Sequence, residues 1–338
     1  MSSLAGAYSL VIADRGWSDR RELRVASVGA SWRLNAPGIL SATMAADTAW
    51  LLDVADFNGL WVRWDHSMMG PWGGRVTDTR VNFDTGTVEL SCESFLTTLK
   101  NRRTRKSERT VNASPGSLVY RAFGDVSSND LPFDSILCDT GGSPVTMQWR
   151  ADDLYGVVTR LASTNGYQFD ATLDPDEWTV DFQFRRQVGR DMTGSVILIE
   201  GYQIAGGTSV RSSASLVNDI LAVDGDAAWD DAVTIPVVDP DSIQTYGRRQ
   251  DTVRYYGLST RESLYSRAKL DLETATDPVT PVSFKLSDRE PQLADIRCGD
   301  TIRVLSASAN AEWIVSITGR AVDADTGVVT LVGDALAA

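Results

Sequence analysis

Trp72-Gly-Gly-Arg-Val-Thr-Asp-Thr-Arg-Val-Asn-Phe-Asp-Thr-Gly-Thr-Val-Glu-Leu-Ser-Cys-Glu-Ser-Phe95 lies, ungapped and at a constant offset of 241, over Trp313-Ile-Val-Ser-Ile-Thr-Gly-Arg-Ala-Val-Asp-Ala-Asp-Thr-Gly-Val-Val-Thr-Leu-Val-Gly-Asp-Ala-Leu336. Eight of the 24 positions are identical: Trp72/Trp313, Thr77/Thr318, Val81/Val322, Asp84/Asp325, Thr85/Thr326, Gly86/Gly327, Val88/Val329 and Leu90/Leu331. In each copy Asp-Thr-Gly joins two runs rich in Val, Thr and Leu. A glycine there can take the positive φ that closes a hairpin with the right twist. Both segments therefore read as one β-hairpin, used twice.

Upstream, at an offset one residue shorter, Gly59-Leu-Trp-Val-Arg-Trp64 matches Gly299-Asp-Thr-Ile-Arg-Val304, a strand entered through glycine. Two linked matches in the same order indicate a duplicated strand module. Between them the period changes. Ser114-Pro-Gly-Ser-Leu-Val-Tyr-Arg-Ala-Phe-Gly124 has an N-cap serine, a proline at the first helical position and a closing glycine. Asp152 to Gly166 repeats that grammar, with Leu154, Val157, Val158 and Leu161 on one face. Two strands, Tyr167 to Leu173 and Trp178 to Phe184, flank an Asp174-Pro-Asp-Glu177 turn. Ser259-Thr-Arg-Glu262 has capping-box spacing ahead of a helix over Ser263 to Leu272.

The expected architecture is mainly β: two duplicated barrel modules flanking a smaller α/β insert. The first module takes residues 5–105 plus about 206–235, the insert 106–205, and the second module 236–338.

Composition narrows function. The chain has 338 residues, with 45 acidic against 32 basic side chains and a net charge of −13. Its 43% hydrophobic and 23% charged fractions are those of folded globular domains. An acidic balance argues against a surface made to neutralise phosphates. Cys92, Cys138 and Cys298 are odd in number and far apart, so neither a disulfide framework nor a zinc pair is written; they read as small buried hydrophobes. The apolar run Tyr8 to Ala13 is too short for a signal-peptide core, and no stretch is long enough to span a bilayer. Synthesis in a reducing cytoplasm is the expectation.

The chemistry the chain could carry is thin. His66 is the single histidine, which limits general bases, metal ligands and triads; beside Asp65 and Met68-Met69-Gly70-Pro71 it reads as a loop residue. Asp224-Gly-Asp226 with Asp230 and Asp231 suggests a calcium loop but lacks the spacing, and residues 212–241 hold seven acids and no base, so a solvated face or a contact for a basic partner is the better reading. Residues 100–109 hold six bases and one acid, without aromatics for stacking; Arg102, Arg103 and Arg105 read as a possible subunit contact. The pairs Asp152/Asp153 and Glu89/Glu93 could serve a glycosidase only if space, which sequence does not give, separates them suitably. Nucleophile-elbow, zincin, P-loop and dinucleotide fingerprints are missing. Asn112-Ala-Ser114 is a sequon without an export signal. Of ten tryptophans, Trp61, Trp64, Trp72 and Trp313 fall in or beside expected strands, which suits core packing first and an exposed sugar-stacking row second.

The order of these parts resembles the tail hub, or baseplate hub, proteins of long non-contractile-tailed bacteriophages, particularly those of actinobacteria. Trp32-Arg-Leu-Asn-Ala-Pro-Gly38, Trp72-Gly-Gly-Arg-Val76 leading to Leu90-Ser-Cys-Glu-Ser-Phe-Leu96, the Leu154 to Gly166 helix before Tyr167-Gln-Phe169, and Gly299-Asp-Thr-Ile302 carry the resemblance. It implies tail-tube-like barrels in a homotrimer, no catalysis, no cofactor and no metal. The implied partners are the distal tail protein and tail tube on one side and tail-tip or receptor-binding proteins on the other, with genome DNA passing through the lumen. The implied location is the virion tail tip. Three chains with two similar modules would present six similar units, easing a threefold-on-sixfold mismatch. The last hairpin ends at Leu336-Ala-Ala338, so fibre or wall-cleaving domains are expected on other proteins. An acidic lumen would repel DNA and let it slide. The alternatives are a phage-encoded cell-wall hydrolase and a Trp-based carbohydrate-binding adhesin.

Overall fold

The computed structural model describes all residues except 1–7, 15–16, 46–58, 67–68, 106, 127–130, 175, 211–212, 214–215, 226–230, 256–259, 277–279, 287–295 and 337–338. The first module is built from β1 (Tyr8–Ala13), β2 (Arg20–Leu23), β3 (Ser27–Arg33), β4 (Ile39–Ala45), β5 (Trp61–His66), β6 (Trp72–Asn82) and β7 (Thr87–Ser94). They pair antiparallel in the order β3-β4-β7-β6-β5-β1-β2. Strict alternation sets the faces: Leu40, Ala42 and Met44 of β4 and Val88, Leu90 and Cys92 of β7 point inward, where they meet Trp64 and Trp72.

After a short α1 (Thr97–Lys100) comes the insert: β8 (Ser107–Ala113), α2 (Pro115–Asp125), β9 (Ser135–Cys138), β10 (Val145–Arg150), α3 (Leu154–Asn165), β11 (Gln168–Leu173) and β12 (Val180–Arg185). The capping grammar is realised at both N-termini and at the end of α3, but Gly124, expected to close α2, lies inside it and the helix is capped at Val126. Ser114 Oγ accepts from the Ser117 N–H, Asp153 caps α3 through the Gly156 N–H, and Gly166 terminates it at φ 65°. The helices share one core with Phe169, Phe182 and Phe184. Trp178 clamps the insert to the first barrel: its ring lies between the Arg20 and Arg63 guanidinium groups, each 4.0 Å from the centroid, with Trp17 edge-on at 5.0 Å.

The remaining elements are β13 (Ile197–Ile199), β14 (Ile204–Ser209), β15 (Asp219–Asp224), β16 (Thr234–Val238), α4 (Pro240–Tyr246), β17 (Gln250–Tyr255), α5 (Arg261–Ala275), β18 (Thr280–Leu286), β19 (Thr301–Ser306), β20 (Ala311–Asp323) and β21 (Val328–Leu336). The second barrel runs β14-β18-β21-β20-β19-β13. Here the expected division of the chain is corrected. Residues 206–235 do not pair with the first module among the described strands: β14 pairs with β18 of the second barrel, and β15 and β16 join β17 in a separate three-stranded sheet. That sheet packs on α5 around Ile220, Ile235, Tyr255, Leu264 and Leu272, a small body inserted between β14 and β18. β13, expected in the insert, pairs with β19. Alternation in a sequence identifies a strand and its buried face, but the partner comes from tertiary contacts.

Candidate assembly interface

The two hairpins agree in register, bulge and turn. In β6/β7 the register runs from Gly74↔Ser94 to Val76↔Cys92, breaks, and resumes at Asp78↔Ser91. In β20/β21 it runs from Val315↔Ala335 to Ile317↔Gly333, breaks, and resumes at Gly319↔Val332. The extra residue of the bulge is Thr77 in one and Thr318 in the other, two of the identities, and each hydroxyl donates to the equivalent carbonyl, of Ser91 at 3.0 Å and Val332 at 3.5 Å. Gly86 and Gly327 turn at φ 62° and 68°. Gly59 and Gly299 enter the neighbouring strands at φ 90° and 91°, donating to the Val76 and Ile317 carbonyls at 2.9 and 2.7 Å.

The turn itself is held by residues the motif did not single out. Asp84 and Asp325 are exposed, and the acceptors are Asn82 Oδ1, taking the Asp84 and Thr85 N–H groups, and Asp323 Oδ1, taking those of Asp325 and Thr326. The clue available in sequence was the Asn/Asp pair at aligned positions, both Asx-turn formers. Trp72 is fully buried and donates through Nε1 to the Ser31 carbonyl at 3.0 Å; Trp313 is half-buried.

One barrel is sewn to the other along these hairpins. β20 runs past β19, and its residues Gly319–Asp323 pair with β3 at Gly319↔Arg33 through Asp323↔Gly29, so a single sheet passes through both modules. The Leu34 N–H donates to Thr318 and the Ala324 N–H to Val28, at 2.9 and 3.0 Å. Val322 and Ala324, at 3% and 1% exposure, complete the core of the first barrel rather than of their own. Arg320 pins the seam: its guanidinium donates to the carbonyls of Ile296 at 3.0 Å and Met69 at 2.8 Å and stacks over Trp32 at 4.2 Å. Sequence reading passed over it because an arginine inside a strand looks like a solvated residue. Burial pulls this arginine below its ordinary value, and burial pushes the neighbouring Cys298 thiol up to about 12. Asp170 of β11 is raised to about 7 by burial, against the pull of the Ala171 N–H and of Arg320. Asn35, at the turn after β3, bonds Phe169 through both its N–H and its Oδ1, tying the insert to the same seam.

Most of the other candidate residues have partners within the chain. The Arg102 carbonyl accepts from the Leu154 N–H, the Arg103 backbone forms an isolated β-bridge with that of Asp153 while its guanidinium donates to the Ala151 carbonyl, and Arg105 is exposed. Asp153 is a helix cap and Asp152 an ion-pair partner of Arg160, while Glu93 accepts from Thr97 and Glu89 is exposed on β7. The acidic stretch is solvated only in part: Asp219 and Asp224 are buried at the ends of β15, the central strand of a sheet, Asp219 taking Arg248 and Gln250, and Asp239 caps α4, while Asp231 and Asp241 are exposed. Asp226 and Asp230 lie outside the described residues. His66 is a correction: it ends β5, 5% exposed beside Trp64, and burial lowers its pKa. Among the described residues no three metal-ligating side chains cluster, and no helix is long and apolar enough to cross a membrane. Eight of the ten tryptophans are described, and none of these is fully exposed; Trp50 and Trp229 lie outside.

No protein-family model matches this sequence, and no curated protein matches it significantly. Solved structures do match. The 43 kDa tail protein of prophage MuSo2 from Shewanella oneidensis aligns at a TM-score of 0.69 and 14% identity, over 97% of this chain and 98% of that one. A tail protein from Neisseria meningitidis MC58 gives 0.69 and 11%, over 98% and 97%. The E. coli c3393 protein, described as a component of the type VI secretion system with structural similarity to the T4 tail proteins gp27 and gp5, gives 0.58 and 13%, over 97% and 76%. At these identities the likeness is one of fold alone: the chain shares the β-rich fold of these tail proteins.

Proposed function

We propose that this protein is a structural, non-catalytic tail hub of a phage particle, three copies forming a ring of six barrels between the tail tube and the tail tip. The observation that carries the reading is the equivalence of the two hairpins down to bulge, turn cap and entering glycine, within one sheet. A chain that presents the same unit twice lets threefold symmetry meet a sixfold neighbour with like contacts at every position. One face of the ring would meet the distal tail protein and tube, the other the tip or receptor-binding proteins. DNA would pass through the lumen without specific binding, as suits a chain of net charge −13. The seam contacts hold the barrels in fixed relation, as a load-transmitting adaptor requires.

Of the acids proposed for a hydrolase, Asp153 is a helix cap, Asp152 an ion-pair partner and Glu93 a hydrogen-bond acceptor of Thr97, and the described tryptophans are packed rather than presented, so neither alternative gains support. Sedimentation of the purified chain, with electron microscopy of the particle, tests the proposal. A three-copy ring with six-lobed density is expected. A monomer at all concentrations, or release of soluble fragments from purified cell wall that stops on changing one acidic pair, overturns it.

A further inference from the structure

The seam inside the chain joins one edge of each barrel, and each barrel has a second edge of the opposite kind. β3 is the first barrel's edge, and its counterpart in the second barrel is β14: β3 lies beside β4 as β14 lies beside β18, with Ala30↔Leu40 answering Ser209↔Val282. On the other side of the seam, Gly319–Asp323 of β20 correspond through the hairpin register to Asp78–Asn82 of β6. Among the described strands both counterparts end open. β14 is the terminal strand of its sheet, and Arg80, Val81 and Asn82 pair with β7 alone among the described strands. What the seam buries, these edges expose: Val322 and Ala324 are 3% and 1% exposed, whereas the equivalent Val81 and Phe83 are 41% and 91%, and Val210 beside β14 is 57%. The first barrel's core takes Val322 and Ala324 from the second module, while the second barrel's core has no such donors among the described residues.

We propose that β14 of one copy pairs antiparallel with the end of β6 of a second copy, in the register of the internal seam: Asn82 opposite Thr208, Val81 opposite Ser209, Arg80 opposite Val210. Val81 and Phe83 then enter the second barrel's core as Val322 and Ala324 enter the first. The parity fits. The Val210 N–H is spent on the Pro281 carbonyl within the chain, which turns the Ser209 N–H and carbonyl outward, as those of Ala30 face β20. The contact joins two different edges, so it is head-to-tail and must either close or run on. The inference rests on the three-copy ring and supplies its contact.

Arg80 and Val210 form a non-hydrogen-bonded pair in this register, the closer kind of cross-strand neighbour and within disulfide reach. In a Cys138→Ser background, Arg80→Cys with Val210→Cys should oxidise to a covalent ladder ending at three copies, while Arg80→Cys with Thr208→Cys should link far less. The pair Ser31→Cys with Ala321→Cys, its internal counterpart, should close within one chain and serves as the positive control. Ser209→Pro removes one outward donor from an edge strand, which the single chain tolerates, and should abolish association in sedimentation. Association without the Arg80–Val210 link, unaffected by Ser209→Pro, overturns this contact and leaves the ring. A ladder running beyond three keeps the contact and overturns the closed ring. Wild-type protein that never associates removes both. Arg80, Thr208 and Val210 are exposed, so this reading does not depend on the proline variant folding.

Discussion

The two barrels share a backbone and divide its interior differently. At two aligned positions, diagonal to each other across the hairpin, the first barrel has Gly74 and Cys92 where the second has Val315 and Gly333. A Cβ on Gly333 would meet Val315 Cγ1 at 2.6 Å and the Ser316 carbonyl oxygen at 2.5 Å; one on Gly74 would meet the Trp72 ring at 2.5 Å and the Glu93 oxygen at 2.3 Å. Glycine has changed strands, and the bulk it makes room for has changed with it: Trp72, two residues earlier on the same strand, in the first hairpin, and Val315, on the facing strand, in the second. Likewise Trp64 stands opposite Trp72 where Val304 stands opposite Trp313. A duplicated unit conserves volume and register, which sets what packs, and lets residue identity drift as long as neighbours compensate.

Tryptophan truncation sharpens this contrast most. Trp72→Ala should cost roughly 3–5 kcal/mol, from lost burial plus the cavity left in a core that relaxes only partly. Trp313→Ala, at the equivalent but half-buried position, should cost roughly half as much. Urea denaturation followed by tryptophan fluorescence compares them; equal losses would mean that the two interiors are not divided as described. Next comes the glycine exchange. Gly333→Cys should cost about 2–3 kcal/mol by overpacking against Val315. Adding Val315→Gly should recover roughly 1 kcal/mol relative to the sum of the single changes, and a double-mutant cycle showing no coupling would break the argument that the two positions share one volume.

This compensation also explains what was legible beforehand. The hairpins, their turns and the entering glycines were readable because backbone geometry restricts residue type at Gly86, Gly327, Gly59 and Gly299. The helices of the insert were readable from Ser114, from an aspartate start set at Asp152, one residue before the true cap, and from Gly166, for the same reason. Strand partners were not. Nothing local in Ile204–Ser209 says that β18 is its neighbour, and Asp219–Asp224 reads as acidic although it is the middle strand of a covered sheet. Of the assembly site, the marker hairpins were visible while Arg320 and Asn35 were not. Their roles depend on carbonyls and rings brought close only by the fold, such as Met69 and Trp32 around Arg320.

A smaller effect tests whether the two turns are interchangeable. Asn82→Ala and Asp323→Ala each remove a side-chain acceptor from two backbone N–H groups at an exposed turn, and each should cost about 1 kcal/mol. Amide exchange at Asp84 and Thr85, or at Asp325 and Thr326, should accelerate in the matching variant and nowhere else. Acceleration in both turns from either change would show that the barrels open as one unit.

The smallest expected difference between the barrels is in acid. Glu200, after β13 of the second barrel, accepts from the Ser306 hydroxyl at 2.7 Å and from the Ser308 N–H and hydroxyl at 3.0 and 2.9 Å, and these bonds hold its carboxyl down to about 2 from an ordinary 4.5. A carboxyl depressed by folding stabilises fully above its ordinary value and loses that contribution as pH falls through the folded one. Exchange at Ser308 should therefore quicken as pH drops from about 5 toward about 2, once the intrinsic acid dependence is divided out. Glu200→Gln should remove that dependence. The first barrel's turn provides the reference, since the acceptor there is the neutral amide of Asn82, and its protection should stay level over the same range. Parallel loss at both turns would trace the acid sensitivity to the sheet common to the two barrels instead of to this carboxylate.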